Sequence, residues 1–406
     1  MNQKLINSLK LVARYELIVM NDGFICMPTI KNLIIFESFN GKEINDNPYA
    51  IYQQLITEQP KLIETCYFSV KPSEYGRLKK KFPKIKMLKR FTPKWVRYIA
   101  RAEYWVMNSR MPLWWKKNKQ TTFIQTWHGT PLKKLGVDIS NVEIPGTTTQ
   151  KYHHDFTMEA KRWDYLIAPN EYSKEIFKSA FNYTNQFLDI GYPRNDVLYH
   201  DNNDQKISEL KKSILGKNIK HVIMYAPTWR DDNFKAIGTY NFTLPFSLKE
   251  FFKIVPEDYM LIIRPHYLVK DQIDISGYED RVKILPDHDM NQLYLITDLL
   301  ITDYSSVMFD FANLKRPMLF YSYDLDHYRD QLRGFYFNYD ANTLPGPLVT
   351  DEQSFYKAIR EYVQESGFSK YQVNLDEFNH KFCSWEDGKA SEKVSNLILR
   401  GMNNEK

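Results

Sequence analysis

Two histidines in this 406-residue chain sit in settings that suit proton transfer: His128 in Trp-His-Gly-Thr-Pro131 and His266 in Arg-Pro-His-Tyr267. An imidazole takes a hydroxyl proton near neutral pH, and Gly129 lets backbone approach a ligand closely. Three arginines, Arg194, Arg230 and Arg264, occupy comparable settings. Their guanidinium forks match phosphate oxygens, so a diphosphate ligand is the economical reading. Asp303-Tyr-Ser-Ser306 runs into a helix-capable segment, Val307–Leu314, where Ser305, Ser306 and free N–H groups could hold an anion. Asp310, one turn on, could accept hydrogen bonds from polyol hydroxyls. The competing role for Asp303 or Ser305 is a plain helix cap.

Short apolar runs must position these groups. Asn32–Phe36, Tyr104–Met107, Thr122–Thr126, Tyr165–Ala168 and Phe187–Ile190 form one series; His221–Tyr225, Met260–Ile263, Val282–Leu285, Leu299–Thr302 and Met318–Tyr321 form a second. Runs this short and nearly continuous read as strands buried on both faces of a parallel sheet, with helices between them. Each polar cluster falls just past the end of such a strand, the edge where open α/β sheets bind ligands. Two doubly wound α/β domains facing each other across a cleft are expected. The divisions are 1–30 as an N-terminal amphipathic segment, 31–205 and 206–380 as Rossmann-like domains, and 381–406 as a helical tail.

Composition narrows the classes. The chain is 43% hydrophobic, which excludes a disordered protein. Its three cysteines support neither a disulfide framework nor a cysteine zinc site. Gly-x-Gly-x-x-Gly, Walker, His-Glu-x-x-His and Cys-x-x-Cys motifs are missing, and no Asp-x-Asp pair stands at a strand end, so no metal or cofactor is expected. No apolar stretch approaches the ~18 residues of a membrane span, and Lys4, Lys10, Arg14 and Glu16 interrupt any secretory core. The net charge of +6 is concentrated: eleven cations lie between Arg77 and Arg101 with no acid among them. A solvated surface of snorkelling lysines is the plain reading. Lys79, Lys80, Lys81, Lys89 and Arg90, with interleaved aromatics and the amphipathic pattern over residues 1–20, favour an anionic membrane face over nucleic acid.

Several longer motifs carry a resemblance. Trp127–Leu135, Tyr225–Asp232, Arg264–Tyr267, Thr302–Asp310, Phe36–Lys42 with Asp46-Asn-Pro48, Gly191–Asp196, Arg333-Gly-Phe335 and Lys381–Gly388 resemble the CDP-glycerol glycerophosphotransferases of teichoic-acid synthesis, in order, from about residue 32 to 400. The resemblance implies a GT-B arrangement, with the donor held mainly by the C-terminal domain. It implies His128 as general base and His266 as a second essential histidine. CDP-glycerol would meet Gly129, Thr130, Pro131, Leu132, Arg194, Pro227, Thr228, Trp229, Arg230, Arg264, Pro265, Ser305, Ser306 and Asp310. An undecaprenyl-diphosphate-linked glycan would be the acceptor, at the cytoplasmic face of the membrane, where other cell-wall polymer enzymes are candidate partners. The chain is similar to the shorter primase or transferase type. Ribitol-phosphate transfer from CDP-ribitol, or a GT-B nucleotide-sugar glycosyltransferase, are the rival readings.

Overall fold

The computed structural model describes residues 3–142, 146–217, 219–228, 234–236, 239–240, 243–265, 273–325 and 334–403. The chain divides into two compact units: residues 1–129, 135–196 and 386–406 form one, and residues 130–134 with 197–385 form the other.

The first unit is built on a seven-stranded sheet: β1 (Ile30–Glu37), β2 (Cys66–Val70), β3 (Met87–Lys89), β4 (Ala102–Met107), β5 (Thr122–Gln125), β6 (Tyr165–Ala168) and β7 (Gln186–Asp189). The order is β3-β2-β1-β4-β5-β6-β7, parallel throughout. Chain direction across the sheet reverses between β1 and β4, which makes their C-terminal ends the crevice of a doubly wound fold. Helices α1 (Gln3–Ile25), α2 (Asp46–Glu58), α3 (Tyr75–Lys81), α4 (Pro93–Ala100), α5 (Thr149–Ala160) and α6 (Glu171–Phe181) belong to this unit. α4 shows how local sequence sets an element: Thr92 caps it by accepting from the Trp95 N–H, Pro93 sits in its first turn, and Trp95, Val96, Ile99 and Ala100 are buried.

The second unit repeats the plan. Strands β8 (His221–Ala226), β11 (Tyr259–Ile263), β12 (Val282–Ile284), β13 (Leu299–Thr302), β14 (Met318–Tyr321) and β15 (Leu348–Val349) make a parallel sheet in the order β12-β11-β8-β13-β14-β15. A hairpin of β9 (Phe234–Ala236) and β10 (Thr239–Tyr240) intervenes. Its helices are α7 (Val197–His200), α8 (Asp204–Leu215), α9 (Leu248–Ile254), α10 (Met290–Ile296), α11 (Val307–Phe311), α12 (Glu352–Glu365) and α13 (Gln372–Cys383). Phe251, Phe355 and Ile359 pack with Ile223, Leu261 and Ile301 in its core. The last helix, α14 (Ala390–Met402), returns to the first unit, where Val394 and Ile398 join Ile34, Phe68 and Ile124.

Two parallel α/β sheets are therefore present, as the two strand series imply. Strands β2, β3 and β15, and the β9–β10 hairpin, are not among the runs read from the sequence. α1 extends to Ile25, beyond the amphipathic pattern read over residues 1–20.

Candidate functional site

In the first unit the polar group gathers past the ends of β1, β4 and β5. Trp127 has a left-handed backbone (φ 51°), a strained conformation for an aromatic residue, and its N–H donates to Gln125 Oε1 at 3.0 Å. Phe181 packs against the Trp127 ring at 4.7 Å, and that ring stacks on His128 at 4.5 Å. His128 Nδ1 lies 2.9 Å from the Asn108 carbonyl oxygen. A carbonyl only accepts, so Nδ1 carries the proton and Nε2 of the neutral ring holds a lone pair. His128 is exposed as a residue. Protein packed around its ring lowers its pKa below the ordinary value; the Asn108 carbonyl and Asp46 oppose that shift, and Arg194 adds to it. The residue is thus biased toward the form that accepts a proton.

Two neighbours of His128 are given no role by the sequence: Asn108, and Asp46 of the Asp46-Asn-Pro48 motif. The Asn108 side chain accepts from the Phe39 N–H at 2.8 Å, and Ser109 Oγ accepts from the Asn40 N–H at 2.9 Å. Phe39 and Asn40 are both left-handed (φ 48° and 57°), and Phe39 meets the His128 ring edge-on at 5.9 Å. Asn108-Ser109 follows a strand, the same signal that marked the other clusters. Asp46 Oδ2 pairs with Arg194 at 2.9 Å, and the Arg194 N–H donates to Asn47 Oδ1 at 3.1 Å. Arg194 therefore meets a carboxylate before any phosphate.

The rest of Gly191–Asp196 locks the unit together. Asp196 accepts from the N–H groups of Ala390 and Ser391 at 3.0 and 2.7 Å, capping α14. Glu386 Oε1 accepts from the Tyr192 N–H and from Asn195 Nδ2, each at 3.0 Å. Two of the longer sequence motifs are thus each other's structural partners.

In the second unit the group surrounds the ends of β8, β11 and β13. Asp303 is fully buried and accepts from the Thr228 N–H at 2.8 Å, while Thr302 Oγ1 donates to the Ala226 carbonyl at 2.8 Å. Pro227 and Thr228 are thereby fixed beside the switch point. Arg264 follows β11, with its N–H on the Tyr225 carbonyl at 2.8 Å. Among the described residues its guanidinium makes only long contacts, to the carbonyls of Pro265 (3.5 Å) and His288 (3.4 Å), and Nε has no hydrogen-bond partner. Burial lowers its pKa. Among the described residues no carboxylate is in ion-pair range, and Asp287 and Asp289 act on the guanidinium only from farther away.

The capping role considered for Asp303 and Ser305 is weak. Asp303 is engaged elsewhere, Ser305 Oγ stands 3.5 Å from the Val307 N–H, and Ser306 makes no side-chain cap. α11 has only five residues before a 3₁₀ turn, Ala312–Leu314, so its dipole is small and the hydroxyls matter more than the helix end. Asp310 lies on this short helix. Thr130, Pro131 and Leu132 are buried in the second unit, where the Leu132 carbonyl accepts from the Tyr336 N–H at 2.9 Å. Gly129 is half-buried. His266, Trp229, Arg230 and Arg333 lie outside the described residues.

The expected membrane patch needs correction at Arg90. This side chain is 5% exposed; Nε faces the fully buried Glu37 at 3.4 Å and Nη1 donates to the Asn40 carbonyl at 2.7 Å. It anchors the Phe39–Asn40 turn from inside. Nor does the run lack counter-charges in space: Arg77 pairs with Glu43 and Glu74, and Lys86 with Glu64. Lys80, Lys81 and Lys89 are exposed, and Lys79 is half-buried with Nζ on the Pro83 carbonyl at 2.6 Å. Among the described residues no group of three His, Cys, Asp or Glu could hold a metal, and no helix is long and apolar enough to cross a membrane.

The family model of CDP-glycerol:poly(glycerophosphate) glycerophosphotransferase matches residues 19–400. The chain belongs to this transferase family. It is 46% identical to the teichoic acid poly(glycerol phosphate) polymerase of Bacillus subtilis (strain 168), across 92% of this chain and 49% of that protein. It is 44% identical to the teichoic acid glycerol-phosphate transferase of Staphylococcus aureus (strain NCTC 8325 / PS 47), across 91% of this chain and 93% of that one. The chain thus spans about half the length of the first and nearly all of the second. Identity falls to 27% with the teichoic acid poly(ribitol-phosphate) polymerase of Bacillus spizizenii (strain ATCC 23059 / NRRL B-14472 / W23), across 93% of this chain and 58% of that protein. A solved structure of the wall teichoic acid polymerase TagF, soaked with CDPG, superposes with a TM-score of 0.87 at 39% identity, covering 98% of this chain and 96% of that one.

Proposed function

We propose that this glycerophosphotransferase-family member transfers glycerol phosphate from CDP-glycerol to a hydroxyl of a membrane lipid-linked teichoic acid precursor, releasing CMP. The observation that carries the reading is the His128 tautomer: Nδ1–H is committed to the Asn108 carbonyl, which leaves the Nε2 lone pair to take the acceptor proton. The acceptor oxygen then forms a bond to the glycerol-side phosphorus while the bond from that phosphorus to the bridging oxygen breaks, and CMP departs. Arg264 and the Ser305–Ser306 hydroxyls supply positive charge and donors to the departing phosphate, positioning and electrostatics being the main levers in phosphoryl transfer. Thr228, Pro227 and Asp310 belong to the same donor-side group, and Gly129 gives the donor room beside His128. His266 is assigned beside the transferred phosphate from its motif alone. The two strand-end groups would act together in a GT-B arrangement.

Glycerol is favoured over ribitol by the identities, 46% and 44% against 27%. Working on the membrane surface as a peripheral protein is supported by α1, which leaves Leu11, Val12, Tyr15 and Val19 exposed. Incubation with labelled CDP-glycerol, and separately CDP-ribitol, plus a synthetic lipid-linked disaccharide carrying or lacking one glycerol phosphate tests the reading. CMP release and a lengthened lipid product are expected with CDP-glycerol. Release of CDP, or turnover with CDP-ribitol alone, overturns it.

A further inference from the structure

A cavity of about 520 Å³ opens in the first unit, lined by Arg14 of α1, Asn40, Arg110, Leu113, Trp114 and Lys151 of α5, together with other residues including Asp155 and Glu159. Its charges do not balance. Lys151 pairs with Asp155 at 2.8 Å, while Arg110 and Arg162 share the single carboxylate of Glu159 at 3.5 and 3.6 Å. Arg14 stands 5.3 Å over the Trp114 ring, with no carboxylate in ion-pair range among the described residues. The lining therefore carries three cations and two carboxylates, and Arg162, behind it, competes for one of those carboxylates. Burial raises the pKa of Glu159 to about 7, so near neutral pH even that counter-charge is partial. Arg110 Nη1 is buried and has no hydrogen-bond partner among the described residues.

Arg14, which lines the cavity, shares α1 with an exposed apolar stripe. Leu11, Tyr15 and Val19, at i, i+4 and i+8 of α1, are 64%, 69% and 53% exposed, and Val12 beside them is 57% exposed. An exposed apolar stripe on a helix, next to an anion-seeking pocket, fits an amphiphile better than a free anion. The pocket also lies close to the chemistry, since Asn40 adjoins Phe39, which touches the His128 ring.

We propose that this cavity binds the diphosphate head of the acceptor's lipid carrier, with the hydrocarbon chain laid along the α1 stripe. The inference rests on the reading that the acceptor is lipid-linked, and adds where the lipid is held. Arg14, Arg110 and Lys151 meet the diphosphate, Trp114 and Leu113 meet the first carbons of the chain, and the glycan is left free to reach His128.

Calorimetric titration of the intact protein with farnesyl diphosphate, inorganic diphosphate and farnesol tests it. Farnesyl diphosphate is expected to bind tightest. Arg14→Glu and Lys151→Glu should each weaken it about tenfold or more, the cost of losing one charge-assisted contact. Leu11→Asp should weaken farnesyl diphosphate and leave inorganic diphosphate unchanged. All three positions are solvent-accessible, and an unchanged Tm checks the fold. Equal affinity for inorganic diphosphate or for farnesol, or unaltered binding in the Arg14→Glu/Lys151→Glu double variant, overturns the assignment. Absence of CMP release while farnesyl diphosphate still binds would remove the transfer reaction and keep the lipid site. An unchanged KM for a lipid-linked acceptor in Arg14→Glu would remove the site and keep the reaction.

Discussion

His128 combines a fixed tautomer with a lowered pKa, and both properties can be measured. His128→Ala is expected to lose roughly 10²–10⁴-fold in turnover, the usual contribution of a general base, with donor affinity largely kept. Near-native CMP release by this variant would remove the role. As the proposed base, His128 would work only when neutral, so activity is expected to fall as pH drops through its folded pKa, and a lowered pKa would carry activity into more acidic solution than an ordinary histidine would. Asp46 raises that pKa, and it also neutralises Arg194, which lowers it. Asp46→Asn should therefore move the acid limb of kcat/KM to lower pH; a limb that stays put or moves upward would show that Asp46 does not act on His128. The place of His128 just past a strand was legible, because the short apolar run Thr122–Thr126 declares that strand. The contacts that Asn108 makes with His128, and Asp46 with Arg194, were not, because they join residues distant in sequence. Arg90 misled for the opposite reason: a linear run of cations does not show that one of them turns inward to Glu37.

Elements were easier to read than their edges. Strands such as β8 and β13 are nearly continuous apolar runs and declared themselves. β3 is a three-residue strand inside the cationic run, and β15 has only two residues, too few for periodicity to register. The return of α14 to the first unit depends on polar locks that no pattern shows in advance. Gly191 is the sharpest of them: its φ is +81°, and an added Cβ would meet Glu386 Oε2 at 2.5 Å. Gly191→Ala combines a left-handed penalty with displacement of the carboxylate that holds Tyr192 and Asn195. A loss of roughly 1–3 kcal/mol is expected, visible as a lower denaturant midpoint. An unchanged midpoint would mean that the Glu386 lock adjusts freely. Loss of the Asp196 cap in Asp196→Ala should cost about 0.5–2 kcal/mol and loosen α14 first, seen as faster amide exchange over Ala390–Met402 than elsewhere.

For the whole molecule, the distribution of surface chemistry decides how it would meet a membrane. The sequence pointed to the cations of residues 77–101. The folded chain buries Arg90 and pairs Arg77 and Lys86, while α1 sets a continuous apolar stripe outward. Magnitudes separate the two contributions. An exposed cation near an anionic surface contributes about 1 kcal/mol, and salt screens it within a Debye length of roughly 3 Å at 1 M. Fully burying a leucine or valine side chain contributes about 1.5–3 kcal/mol, and salt does not screen it. Leu11→Asp with Val19→Asp should therefore lower partitioning onto anionic vesicles about a hundredfold or more, at low and high salt alike. Neutralising Lys79, Lys80, Lys81 and Lys89 should weaken partitioning at low salt only. Co-sedimentation at the two salt concentrations checks both arms. If neutralising the lysines abolishes binding at high salt, or the α1 substitutions leave it intact, the contact surface is not α1. In that case a cavity beside α1 would no longer lie at the membrane, and the lipid site argued from it would lose its setting.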